Sequence, residues 1–214
     1  MAAYGDMPAE HLTLETSDAE KLQARWDLPQ DPALAVVFCH PHPQQGGTMT
    51  APLMRGLTKL LIEAGIAVLR FNFRGVGRSS GTWGGGLEEI HDVSAAVDHA
   101  LGRHLPLSIA GWSFGAAASL RWQAAHRSHL TWVGIAPPVP PKYELSMPEA
   151  KDLEQARRTV IMGNRDQLID VDDARTYAAA LGAEFHLITG SDHFFHFRED
   201  RVAQLMIPAL SPSS

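Results

Sequence analysis

With 214 residues, 45% hydrophobic and 20% charged, the chain has the composition of a soluble globular protein with a sizeable core, and a single domain over residues 1–214 is the simplest count. A formal net charge of −6 without a basic stripe argues against nucleic acid as a partner, and no apolar run reaches membrane-spanning length. The single Cys39 rules out an internal disulfide, and the first residues lack the charged and apolar regions of a signal peptide, so a cytoplasmic setting is expected.

Residues 12–15 and 22–26 alternate apolar and polar side chains, as two antiparallel strands do. Residues 33–39 form a continuous apolar run, the pattern of a strand buried on both faces. A helix is predicted over 51–63, closed near Gly65. The next buried strand covers 66–71, and a helix over 87–101 ends at Gly102. A strand at 107–110 then leads into a third helix that runs to about residue 125. Strands follow at 130–136 and 160–162, a helix at 172–181, a last strand at 185–188 and a helix at 199–207. The tail 208–214 is expected to be loose. After the first pair, strands alternate with helices. The fold class is therefore α/β: a mostly parallel, doubly wound sheet with helices on both faces. The insertion 137–157 is stiffened by Pro137, Pro138, Pro140 and Pro141 and is too short for a multi-helix lid, so no large cap domain is expected.

The densest motif is Gly111-Trp112-Ser113-Phe114-Gly115. An apolar strand runs into it and an alanine-rich helix former follows, which is the strand–turn–helix context of a nucleophile elbow. So sharp a turn needs small neighbours two residues either side of the serine, here Gly111 and Gly115. A serine hydroxyl is a poor nucleophile until a base takes its proton, and that base is usually a histidine oriented by a carboxylate. In open α/β sheets such groups gather beyond the carboxyl ends of the strands. Asp166 follows the 160–162 strand directly, and His193 follows the 185–188 strand. The order Ser113, Asp166, His193 is the order in which α/β-hydrolases carry their triad.

Competing assignments stay open at this stage. Asp170 is a second candidate acid. Asp172 reads as a helix N-cap, Asp173 as a first-turn residue and Asp192 as a turn former. His196 is a second candidate base. The pairs His40-x-His42 and His193-x-x-His196 raise a zinc site as an alternative, although no cysteine or carboxylate ligand pattern accompanies them, and no metal is expected. An oxyanion hole would take one backbone N–H from Phe114 and one from the loop after the 33–39 strand. Pro41 and Pro43 have no N–H to give, which leaves His42 between them. His40 reads as a buried, hydrogen-bonded brace of that loop. The glycine-rich stretch 72–81 fails both the dinucleotide and the nucleoside-triphosphate fingerprints and reads as a tight loop. Trp83, Trp112, Phe114, Tyr143, Met147 and Phe194 are candidate apolar walls of a substrate pocket.

These motifs are His40-Pro41-His42-Pro43 with Gly46-Gly47-Thr48-Met49, Phe71-Asn72-Phe73-Arg74-Gly75-Val76-Gly77, Gly111-Trp112-Ser113-Phe114-Gly115, Gly163-Asn164-Arg165-Asp166 and Asp192-His193-Phe194-Phe195. Together they resemble the small lidless serine hydrolases of the α/β-hydrolase superfamily, close to the dienelactone-hydrolase-like group. The resemblance implies esterase-type activity with Ser113 as nucleophile, Asp166 as acid and His193 as base. Dienelactone hydrolases carry a cysteine where this chain has Ser113, so that substrate does not carry over. The expected activity is that of a carboxylesterase on small-molecule esters, without a cofactor, through an acyl-enzyme on Ser113; a thioesterase, lactonase or peptidase on the same triad, or a non-catalytic binding protein of the same fold, are the alternatives.

Overall fold

The structure of the protein, a computed structural model, describes residues 9–139 and 147–211. Eight strands form one sheet: β1 (Ala9–Glu15), β2 (Lys21–Asp27), β3 (Leu34–Cys39), β4 (Ile66–Phe71), β5 (Leu107–Trp112), β6 (Thr131–Ile135), β7 (Arg158–Gly163) and β8 (Glu184–Ile188). Five α-helices join them: α1 (Pro52–Glu63), α2 (Glu89–Leu101), α3 (Phe114–Ala125), α4 (Val171–Ala180) and α5 (Glu199–Leu210). The strand order is β1-β2-β4-β3-β5-β6-β7-β8. Strands β3 to β8 run parallel to their neighbours, while β2 is antiparallel to both β1 and β4. Helices α1 and α5 pack on each other, α2 and α3 pack on each other, and α4 covers β7 and β8. This is the doubly wound α/β sheet expected from the alternation of elements.

The sheet is built from strands buried along their whole length. β3, β4, β5, β6 and β7 have no exposed or half-buried residue. That is why they read as apolar runs and not as alternating patterns. The chain goes from β3 outward to β4, then crosses back over β3 to β5. The winding direction therefore reverses between β3 and β5, and a crevice opens beyond their carboxyl ends. Cys39 at the end of β3 pairs with Gly111 near the end of β5, so the two exits lie side by side.

Several boundaries move. β5 runs on through Gly111 and Trp112, because Gly111 pairs with both Cys39 and Gly134. β7 starts two residues before the predicted 160–162, at Arg158, and both added polar residues are buried. Helix α2 starts at Glu89, two residues later than predicted. Helix α4 is capped by Asp170, whose carboxylate accepts the N–H groups of Asp172 and Asp173, so Asp172 is not the cap. Helix α5 continues through Pro208 to Leu210, where a loose tail was expected. Buried Met206, Ala209 and Leu210 anchor its last turn, and Arg157 and Ser108 donate to the carbonyls of Pro208 and Leu210. Among the described residues, one 3-10 turn (Ala150–Asp152) lies between β6 and β7.

At two glycines the space is decided by backbone. A Cβ on Gly115 would overlap the Cys39 carbonyl, and one on Gly111 would overlap the peptide at Gly115. Helical Gly115→Ala would gain helix propensity by about 1 kcal/mol in the open. Here it is expected to lose about 3 kcal/mol or more through overlap. Gly182→Ala is the comparison: it sits at φ +63° with open space around it and should lose only about 1–2 kcal/mol. Urea unfolding of both variants checks this; equal losses would contradict it.

Candidate active site

Ser113 is the residue between β5 and α3. Its backbone sits at φ +52°, ψ −117°, a conformation that L-residues rarely adopt and that costs about 1–3 kcal/mol. The turn is held by the Ser113 N–H, which donates to the Ile135 carbonyl at 2.8 Å, and by the two glycines that let β3, β5 and α3 touch. The result lifts the side chain above the sheet edge at the first turn of α3. Phe114 is the first residue of that helix, so its amide has no carbonyl a turn earlier to bond.

His193 follows β8. Its Nε2 lies 3.1 Å from Ser113 Oγ and its Nδ1 2.8 Å from Asp166 Oδ2. The carboxylate can only accept, so the proton of a neutral imidazole sits on Nδ1 and leaves Nε2 to accept the serine hydroxyl. Asp166 follows β7, and its side chain is fully buried. Its other oxygen, Oδ1, accepts the N–H groups of Leu168 and Ile169, each at 2.9 Å. One carboxylate oxygen is thus fixed by backbone while the second faces the ring.

The β7 and β8 exits are stitched together. Arg165 N–H donates to Ser191 O at 2.8 Å, and Gly190 N–H to Asn164 Oδ1 at 2.6 Å. Gly163 has no side chain where a Cβ would meet the Ser191 carbonyl. Trp112 Nε1–H donates to the His193 carbonyl at 3.1 Å. Asp192 accepts from the Phe194 amide and from His196 Nδ1, which folds the loop around His193.

The competitors from the sequence go elsewhere. Asp170 caps α4. His196 is largely exposed and paired with Asp192. Among the described residues no three His, Cys, Asp or Glu side chains are grouped to hold a metal, so the zinc alternative has no ligand set.

The loop after β3 is fixed from behind. Buried His40 donates from Nδ1 to the Pro41 carbonyl at 2.6 Å and accepts the Phe73 N–H on Nε2 at 3.0 Å. It is the brace the sequence suggested. Met49 is gripped twice: Asn72 Oδ1 accepts its N–H, and Arg70 donates to its carbonyl. Arg70 is itself buried in an ion pair with Asp27. These clamps hold His42 opposite Phe114, with their rings 5.5 Å apart. Cys39 is fully buried, and burial pushes its thiol well above the usual range, so it is chemically quiet.

A pocket of about 250 Å³ opens beside Ser113 and His193. It is lined mainly by Pro41, Gly47, Ala51, Pro52, Trp112, Leu168 and Phe194, with His42 at one side. Of the walls read from the sequence, Trp112 and Phe194 face it. Trp83 stands behind His42 and Phe114, Met147 packs against the core, and Tyr143 lies outside the described residues. Leu168 and the α1 start at Ala51-Pro52 were not foreseen, because their place depends on how loops fold over the sheet.

A parallel sheet bearing a serine elbow, a histidine and an aspartate on its carboxyl edge has the architecture of the α/β-hydrolases. The chain belongs to that family: residues 33–205 match the model of the alpha/beta hydrolase domain. It is similar to the structure of a serine hydrolase homologue from Coxiella burnetii (27% identity, TM-score 0.81), covering 94% of this chain and 97% of that one. It is also similar to a serine hydrolase without a lid from Xanthomonas campestris (28% identity, TM-score 0.83), covering 94% and 93%. An uncharacterised protein of Rickettsia prowazekii is 28% identical over 92% of this chain and 86% of its own length. No helix among the described residues is long and apolar enough to cross a membrane.

Burial lowers the pKa of His40 to about 4; the bond to the Pro41 carbonyl opposes the shift and neighbouring His42 adds to it. The unfolded chain therefore takes up this proton near pH 6.5, before the folded one does. His40 stabilises the fold fully above pH 6.5, and about 3 kcal/mol of that is lost as pH falls to 4. Urea unfolding of wild type and His40→Asn at pH 7 and pH 4 isolates this contribution from other titrations. The gap should narrow by about that amount; a constant gap would contradict the assignment.

Proposed function

We propose that the protein is a serine carboxylesterase acting on small esters, with Ser113, His193 and Asp166 as its catalytic triad. The observation that carries this reading is the hydrogen-bonded line from Ser113 Oγ through His193 to the buried Asp166, beside an apolar pocket. Similarity to serine hydrolases from Coxiella and Xanthomonas supports it.

The substrate carbonyl enters next to Ser113. His193 Nε2 takes the hydroxyl proton as Oγ bonds to the carbonyl carbon, and Asp166 holds the imidazolium in place. The oxyanion that forms is met by the amides of His42 and Phe114. The C–O bond to the alkoxy group breaks, and His193 hands its proton to the departing alcohol. Water then attacks the acyl-enzyme, giving its proton to His193. The acid leaves and Oγ is protonated again. No cofactor enters these steps, and the partner is the ester itself.

The pocket limits the acyl group. At about 30 Å³ per water-sized group, 250 Å³ holds roughly eight such groups. Among the described residues, Trp112, Leu168 and Phe194 give it apolar walls, and no Asp, Glu, Lys or Arg side chain lines it. Such a pocket suits short acyl chains. Fully buried Cys39, with its raised pKa, suits a reducing cytoplasm but does no chemistry.

Two measurements test the reading. Ser113→Ala should lower kcat on the order of 10⁶-fold. Asp166→Asn should lower it roughly 10⁴-fold. The asparagine must keep its oxygen on the Leu168 and Ile169 amides, which turns its NH2 toward His193 and favours the wrong tautomer. Near wild-type rates in either variant would refute the triad. Across a series of p-nitrophenyl esters, butyrate should be cleaved much faster than palmitate; the reverse order would refute the small pocket as the acyl site.

A further inference from the structure

Glu89 is the first residue of α2 and is completely buried, and its carboxylate lies close enough to His42 to favour the charged imidazole. Both of its oxygens accept from backbone. Oε1 accepts the Gly84 N–H at 2.8 Å, and Oε2 accepts the Gly86 N–H at 2.7 Å. Both oxygens therefore hold one glycine turn, which passes through φ +70° at Gly85 and +85° at Gly86. An ionised carboxylate accepting two amides makes strong, directional bonds in a buried setting.

The residue leading into that turn is Trp83. Its ring lies 4.8 Å from the His42 ring and 5.1 Å from the Phe114 ring, and those two are 5.5 Å from each other. Three aromatic rings thus close on one another, and two of them belong to His42 and Phe114, the residues proposed above to give the oxyanion its amides. Trp83 does not line the pocket. It touches the site from behind.

The anchor of this chain of contacts is firm. One turn after Glu89, Asp92 accepts from the Arg74 amide, Nε and Nη2, at 2.7 to 2.9 Å, with both residues buried. Arg74 also reaches Asp18 in the β1–β2 turn. The start of α2 is pinned to the loop after β4, so Glu89 works from a fixed base.

We propose that Glu89 and Trp83 are positioning residues for acyl transfer: the buried carboxylate sets the glycine turn, and the indole it places holds His42 and Phe114 so that their amides converge on the oxyanion. The proposal rests on the esterase reading above. Oxyanion donors act only when they sit about 2.7–3.1 Å from where charge develops, so a small shift weakens the transition state more than the bound ester. The signature is a fall in kcat with little change in KM.

The experiment measures kcat and KM on p-nitrophenyl butyrate, with thermal unfolding, for Trp83→Ala, Trp83→Phe, Glu89→Gln and Ser113→Ala. Trp83→Ala should lower kcat about 10- to 100-fold with KM within about threefold. Trp83→Phe keeps a ring in place and should recover most of the rate. Glu89→Gln has one acceptor oxygen for two amides and should repeat the Trp83→Ala signature. A folded Trp83→Ala with wild-type kcat, or with a loss confined to KM, would overturn the proposal. Should Trp83→Ala fail to fold, the same criteria applied to Glu89→Gln decide. An active Ser113→Ala would bring down the esterase reading itself; an inactive Ser113→Ala beside a fast Trp83→Ala would bring down only this inference.

Discussion

Everything at the site depends on how closely three backbone segments approach at the carboxyl edge of the sheet. The exit of β3, the end of β5 and the first turn of α3 meet with no side chain between them, because Gly111 and Gly115 carry none. That contact forces the backbone at Ser113 to positive φ, and the β6 bond to its amide keeps it there. Strain at one residue is tolerated because a fully buried five-strand core surrounds it. The same approach brings the loop after β3 to within one ring contact of α3, so that His42 and Phe114 flank the serine.

Around this centre, buried polar side chains serve mainly as fasteners of loops. His40, Asn72 and Arg70 hold the loop after β3, and Glu89 and Arg74 hold the turn that carries Trp83; the loops after β7 and β8 are joined instead by the exposed Asn164 side chain and the Ser191 backbone carbonyl. Each of these fastening groups is matched to a backbone or charged partner, which offsets the cost of leaving water. Loops without such partners could not keep hydroxyl, imidazole and carboxylate in line to within a few tenths of an ångström. Precision here comes from the supporting shell more than from the three side chains themselves.

The sequence carried the plan of this arrangement because the sheet is buried on both faces. Strands β3 to β6 announce themselves as apolar runs, and the glycines flanking Ser113 mark the turn. Residues placed just after strand ends, Asp166 and His193, follow from the same geometry. What stayed hidden depends on tertiary contacts. β7 looked three residues long because Arg158 and Thr159 are polar, yet both are buried in it. Three aspartates close together could each cap α4; buried Ala174 and Ala178 set where that helix lies, and Asp170 then falls at its start. Pro208 signals a helix end, but packing of Met206 and Leu210 carries α5 past it. Glu89 reads as an ordinary acidic first-turn residue, and nothing local reveals that its partners are Gly84 and Gly86.

The claim at the centre is that Ser113 is an activated nucleophile because His193 and Asp166 stand in line behind it. Labelling with a fluorophosphonate, followed by peptide mass mapping, reads that state directly. The account predicts a single adduct on the peptide containing Ser113 in the native protein, slowed by orders of magnitude in His193→Ala and absent after unfolding in urea. No adduct on the native protein, or an adduct that forms equally fast without the imidazole, would contradict it.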